Sequence, residues 1–187
     1  NKVLFDFFET GTYDKNREFI LTTSPSMDIL ISSNLERLIY VIAGCDTKKT
    51  AELMQALKTD GVYTVTEEMK ERLADFAAGY ATEEQTAQAI HDTYAKTGYV
   101  MDTHTAVASY VCGEYRKSSG DNAKCVIAST ASPYKFVKSV MTAIDAKYEN
   151  EGEFDLIPVL QEVSGTDLPN AVKEIMSANI LHTTECD

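Results

Sequence analysis

The chain has no stretch of clustered lysine and arginine. Its 29 acidic residues outnumber its 17 basic ones and leave a net charge of −12. Nucleic-acid phosphates and anionic membrane surfaces are both met by basic clusters, so this chain is expected to bind neither. There is no apolar run of membrane-spanning length and no secretory leader pattern, and a cytoplasmic location is expected. The four cysteines, Cys45, Cys112, Cys125 and Cys186, contain no C-x-x-C pair, and the three histidines lie far apart. This pattern predicts no metal site and no disulfide framework, only reduced and mostly buried thiols, with Cys125 in an apolar strand. The tyrosines lack the periodicity of a base-stacking platform. Neither internal repeats nor low-complexity segments occur. An apolar content of 44% and a charged content of 25% are those of an ordinary globular protein, and the length suits one domain or a large piece of one. The chain opens on Asn1 and not on methionine, which leads to the expectation of a fragment.

Periodicity predicts a helix-rich layer structure with few strands. A helix capped by Asn1 is expected over Val3 to Phe8, ending at Gly11. Glu18 to Thr22 reads as a short strand. Ser33 and Glu36 form an S-x-x-E capping box before Leu35, Leu38, Ile39 and Ile42, with Gly44 as terminator. Helices follow over Lys49 to Lys58, Glu67 to Ala78 (box Thr64 and Glu67) and Glu83 to Lys96 (box Thr82 and Gln85). The acidic pairs Glu67-Glu68 and Glu83-Glu84 complement helix dipoles and are poor acid–base candidates. His91, on a stripe with Ala87, Ile90 and Tyr94, reads as packed. Another helix is expected over Thr105 to Tyr115, and Lys124 to Ala128 is the clearest strand. Ser132 and Pro133 open a further helix whose stripe is Phe136, Val137, Val140, Met141 and Ile144. Glu149 to Glu153 reads as an acidic hinge, followed by helices over Leu156 to Ser164 and Pro169 to Ala178. The chain divides into 1–45, 46–122, 123–148 and 149–187.

Three stretches concentrate polar groups where an α/β fold binds ligands. Ala128-Ser129-Thr130-Ala131-Ser132-Pro133 follows the apolar strand, and open α/β sheets bind ligands just beyond the carboxyl ends of their strands. Ser129 and Thr130 there either touch a ligand or only cap the next helix. Asp102, His104 and Thr105 lie on a turn before a helix, whose N-terminus offers free N–H groups. His104 either donates to a substrate oxygen or is a structural hydrogen-bonder. Ser24, Ser26, Asp28 and Asn34 sit close to Arg37 in sequence, which suits a phosphate or an amino-acid carboxylate, or else plain loop and cap chemistry.

These stretches, Ala128 to Phe136, Asp102 to Val107 and Thr22 to Leu38, resemble the threonine synthase family of pyridoxal-phosphate enzymes. The opening from Val3 to Tyr13 and the ending from Leu181 to Asp187 are similar as well, so the resemblance covers nearly all 187 residues in order. It departs from the family pattern at Thr103 (Pro in the family), Ala108 (Gly) and Ser132 (often His). The resemblance implies an α/β fold class, namely the helix-rich C-terminal part of a fold-type-II, tryptophan-synthase-β-like enzyme. It implies that Thr130, with Ser129, Asp102 and Thr105, lies against pyridoxal 5'-phosphate, the Thr130 hydroxyl meeting the pyridine nitrogen. A neutral hydroxyl there leaves the ring largely unprotonated and tempers its pull on electrons, where an aspartate would strengthen it. Ser24, Ser26, Asp28, Asn34, Arg37 and His104 are implied to meet the substrate, O-phospho-L-homoserine, which water converts to L-threonine and phosphate.

The chain lacks a Gly-rich phosphate loop, and none of its lysines has a Schiff-base context. No catalytic residue is therefore assigned in it. The missing N-terminal portion of the same enzyme is the expected partner, and the chain alone is expected to be inactive. A phospho-lyase acting on a related substrate, or a non-catalytic helical interaction module, are the alternatives.

Overall fold

The computed structural model describes residues 2–184. The chain divides into two units, residues 1–83 with 107–126 and residues 84–106 with 127–187.

In the first unit, helix α1 (Val3–Thr10) closes on Gly11, whose φ of 78° lies in the left-handed region that a glycine enters without strain. The chain then forms β1 (Thr12–Asp14), which pairs antiparallel with β2 (Val62–Thr64), Tyr13 opposite Tyr63. Between them run α2 (Leu35–Ile42) and α3 (Thr47–Thr59); α4 (Glu67–Glu71) follows β2. The two tyrosine rings stack at 5.4 Å and 8°, and Phe7 from α1 lies 6.0 and 6.1 Å from them. Ile39, Ile42, Leu53, Leu57, Val65 and Met69 complete this core. Tyr13 also organises a loop, since its hydroxyl donates to the Leu30 carbonyl (2.9 Å) and accepts the Ser32 N–H (2.8 Å).

The second unit holds α5 (Glu83–Thr97) from its second residue onward and the first turn of α6 (Thr103–Ser119). It continues through α7 (Val137–Ile144), α8 (Leu156–Ser164) and α9 (Asn170–Ser177). Ser132 accepts the Tyr134 N–H and Pro133 opens a 3-10 turn into α7. Val137, Val140 and Met141 are fully buried and Phe136 and Ile144 half-buried, as the stripe predicts. They pack with Ile90, Met101, Leu156 and Leu160. The acidic stretch after α7 is pinned, because the Lys138 ammonium donates to the carbonyls of Tyr148, Glu149 and Glu151.

Several expectations are corrected. Asn34, not Ser33, precedes α2, and no side-chain cap bond forms there; the chain already turns at Ser32, whose carbonyl accepts the Leu35 N–H at 3.2 Å. Thr66 caps α4 in place of Thr64, whose hydroxyl instead lies 2.9 Å from that of Thr12 across the ladder. The helix expected to reach Ala78 stops at Glu71, where i→i−3 bonds at Leu73, Ala74 and Phe76 tighten the chain into turns. Neither Glu18–Thr22 nor Lys124–Ala128 forms a strand. A strand exists only where its backbone pairs into a ladder, and the ladder found among the described residues joins Thr12–Asp14 to Val62–Thr64. Val126 is 89% exposed and Cys125 is exposed. The thiols of Cys45 and Cys112 are exposed and half-buried, against the expectation of burial; the Cys112 and Cys125 sulfurs lie 2.9 Å apart. His91 is exposed beside Asp92, not packed. The Asn1 cap and Cys186 lie outside the described residues.

The stacked tyrosines predict an alkaline limit. Burial, and then the neighbouring Tyr13, raise the Tyr63 phenol above its ordinary value of 10.0. Burial raises Tyr13 too, against the lowering influence of the Ser32 N–H and Arg17. A phenol whose folded-state pKa is raised stabilises the fold fully below its unfolded value, and that stability is lost as pH rises from there through the folded value. Urea midpoints should therefore be flat up to about pH 9.5 and fall above about pH 10. Tyr63→Phe should remove part of the fall, and an equal fall in that variant would refute the assignment.

Candidate functional site

Asp102 stands just before α6 and is wholly buried. Its Oδ1 accepts the backbone N–H groups of His104 (2.8 Å) and Thr105 (3.3 Å), the pattern of a helix N-cap. The same oxygen lies 3.2 Å from His104 Nδ1. The other oxygen, Oδ2, accepts the Thr105 hydroxyl in a short contact. Thr105 Oγ1 in turn lies 3.1 Å from Ser129 Oγ. The His104 ring packs on Phe136 with centroids 4.9 Å apart. Four consecutive side chains, Asp102 to Thr105, are thus almost closed to solvent, a rare density of buried polar groups that the hydrogen bonds among them explain.

Ser129 and Thr130 are both exposed. The second unit therefore joins a buried Asp102–Thr105 pair to Ser129, the residue beside an open hydroxyl at Thr130. A helix that starts at Thr103, two residues before the expected Thr105, makes this possible, because it turns Asp102 into the cap.

The other predicted cluster lies in the first unit, and the structure assembles only part of it. Asp28 is buried and accepts the Thr22 N–H (2.8 Å) and the Thr22 hydroxyl (2.7 Å). Thr22 Oγ1 accepts the Ser24 N–H at 3.1 Å. Ser24 is buried, and its hydroxyl has no hydrogen-bond partner among the described residues. Ser26 is exposed on the 3-10 turn Pro25–Met27. Asn34 and Arg37 are exposed at the start of α2, and Arg37 makes no ion pair among the described residues. Thr22 was missed as a member of this cluster. An Asp six residues after a Thr is a weak signal, visible only once the intervening proline turn is known to fold back.

Residues 105–180 match the family model described as threonine synthase, C-terminal. The chain is 36% identical over 173 residues to human threonine synthase-like 1, covering 87% of this chain and 23% of that protein. It is 34% identical over 175 residues to threonine synthase of Saccharomyces cerevisiae, covering 84% of this chain and 34% of that protein. A crystal structure of pyridoxal-phosphate-bound threonine synthase from Brucella melitensis superposes with a TM-score of 0.70 at 34% identity, over 92% of this chain and 36% of that one. Over most of its length the chain is similar to the C-terminal portion of threonine synthases. Yeast threonine synthase gives a TM-score of 0.74 at 28% identity, over 95% of this chain and 36% of that one. What the chain matches is the C-terminal portion of a threonine synthase, with the fold class of a helix-rich part of a fold-type-II pyridoxal-phosphate enzyme. It spans about a quarter of the length of the threonine synthase-like 1 proteins it matches. Among the described residues, no helix is long and apolar enough to cross a membrane.

Proposed function

We propose that these residues form the ring-side wall of a pyridoxal-phosphate site in a cytoplasmic threonine synthase, which converts O-phospho-L-homoserine and water to L-threonine and phosphate. The observation that carries the reading is the pair of exposed hydroxyls at Ser129 and Thr130, one of them tied to a buried carboxylate through Thr105. The donor set fits one part of the cofactor and not another. Neutral hydroxyls suit a pyridine nitrogen, whereas the sequence offers no Gly-rich loop for the phosphate. The cofactor, when bound, supplies an electron sink for the substrate's carbons. Thr130 orients the ring through its nitrogen, and Asp102 and Thr105 hold the segment that carries it. Ser24, with its buried and unpartnered hydroxyl, supports a contact to the substrate's phosphate or carboxylate, with Ser26, Asn34 and Arg37 near it in sequence. Asp28 acts by holding Thr22 and the proline turn in place.

The amino-terminal portion of the same enzyme supplies the cofactor-binding lysine and the phosphate loop. A second reading, a phospho-lyase acting on a related phosphorylated amino acid, is favoured by the similarity to threonine synthase-like 1. Full-length enzyme carrying these residues should release phosphate from O-phospho-L-homoserine with one threonine per phosphate, and the 187-residue chain alone should release none. Phosphate without threonine supports the phospho-lyase. Turnover by the isolated chain would overturn the division of labour proposed here.

A further inference from the structure

We infer that Cys112 and Cys125 form a thiol–disulfide exchange site, at which a low-molecular-weight disulfide such as oxidised glutathione converts the two thiols reversibly into one bridge. The inference stands apart from the cofactor reading and depends on neither cofactor nor substrate.

The fold builds the pair. Cys112 and Arg116 are four residues apart on α6 and therefore share one face of the helix. The helix ends at Ser119, and Gly120 takes a left-handed φ of 71°. The Ser119 hydroxyl accepts the Asp121 N–H at 3.2 Å, and Asp121 Oδ1 accepts the Ala123 N–H at 2.8 Å, which turns the chain back. The Arg116 guanidinium then donates to the Ala123 carbonyl. The returning segment thus meets the face that Arg116 and Cys112 share, and two residues later the Cys112 thiol donates to Cys125 Sγ at 2.9 Å. Sulfurs that already face each other at this distance can join by side-chain adjustment. Both thiols are free in the structure.

Exposure divides the roles. Cys125 is exposed and Cys112 is half-buried. The hydrogen bond to Cys125, and then burial, raise the Cys112 thiol above its ordinary value, which makes Cys112 the slower group to attack first. The Cys125 thiolate attacks one sulfur of oxidised glutathione, the S–S bond breaks, and one glutathione leaves as a thiolate with the electron pair. Cys112 then gives up its proton and its sulfur attacks Cys125 Sγ, so the mixed S–S bond breaks and the second glutathione leaves. The two cysteines lose two electrons and two protons in all, and the two glutathione molecules take them up. A transient, sensing bridge is the form that disulfides usually take where thiols are kept reduced.

Trypsin cleaves after Arg116, Lys117 and Lys124, so the bridge joins two separate peptides. Full-length enzyme carrying these residues, treated with oxidised glutathione and mapped by mass spectrometry without reduction, should yield the Cys112 and Cys125 peptides joined, and dithiothreitol should separate them. Cys112→Ser should stop with glutathione held on Cys125. Cys125→Ser should take up glutathione at Cys112 at least about tenfold more slowly than Cys112→Ser does at Cys125. In urea, bridging against a fixed ratio of reduced to oxidised glutathione should be at least about tenfold less favourable than in the folded enzyme. Glutathione that persists on Cys125 in the parent, uptake at Cys112 as fast as at Cys125, or equal bridging in urea would each overturn the inference.

Discussion

Phe7→Ala is expected to destabilise the fold by about 3–5 kcal/mol, the range for deleting a fully buried phenylalanine. Phe7 is 0% exposed, and its ring has three aromatic neighbours, Phe8 at 5.4 Å, Tyr13 at 6.0 Å and Tyr63 at 6.1 Å. Two of these belong to the β1–β2 pair, so α1 and the ladder share one aromatic cluster. The two strands are only three residues each and cannot be stable alone. Removing the ring leaves a cavity against stacked tyrosines that cannot close without breaking their stack. Tyr13 also holds the loop at Leu30 and Ser32, so the damage should extend to the segment between the Ser24 cluster and α2. Leu4→Ala, on the same helix but 41% exposed, should cost less than about 1 kcal/mol. Urea unfolding of the two variants tests this. Equal losses would mean that α1 does not pack as described.

Local chemistry was legible in the sequence, and long-range pairing was not. Leu156 to Ser164 is helical as expected, because an apolar stripe and the terminating Gly165 lie within one short window. Ser132 with Pro133 was readable for the same reason. The β1–β2 pair was missed, since Thr12 and Thr64 are far apart in sequence and each strand is too short to show alternation. Lys124 to Ala128 has the composition of a strand, but composition carries neither the partner that makes a ladder nor the burial that this segment lacks. At the site, the polar turn at Asp102 was visible, whereas its tie to Ser129 through Thr105 depends on tertiary packing. The density of polar groups around Asp28 was visible as well, but not that both its oxygens accept from Thr22, which depends on the proline turn folding back.

Thr130→Val isolates the hydroxyl proposed to meet the cofactor ring. Valine keeps the shape of threonine and puts a methyl group in place of the hydroxyl, and at an exposed position it should leave the thermal midpoint almost unchanged. If Thr130 meets the pyridine nitrogen, the loss of one hydrogen bond in a closed site is worth about 1.4–2.7 kcal/mol, or roughly 10- to 100-fold. In full-length enzyme, kcat/KM for O-phospho-L-homoserine should fall by that factor, the affinity for pyridoxal phosphate should weaken, and Thr130→Ser should stay within severalfold of the parent. A Thr130→Val enzyme with parental kcat/KM and parental cofactor affinity would show that the Thr130 hydroxyl faces neither cofactor nor substrate, and the proposed ring contact would fall.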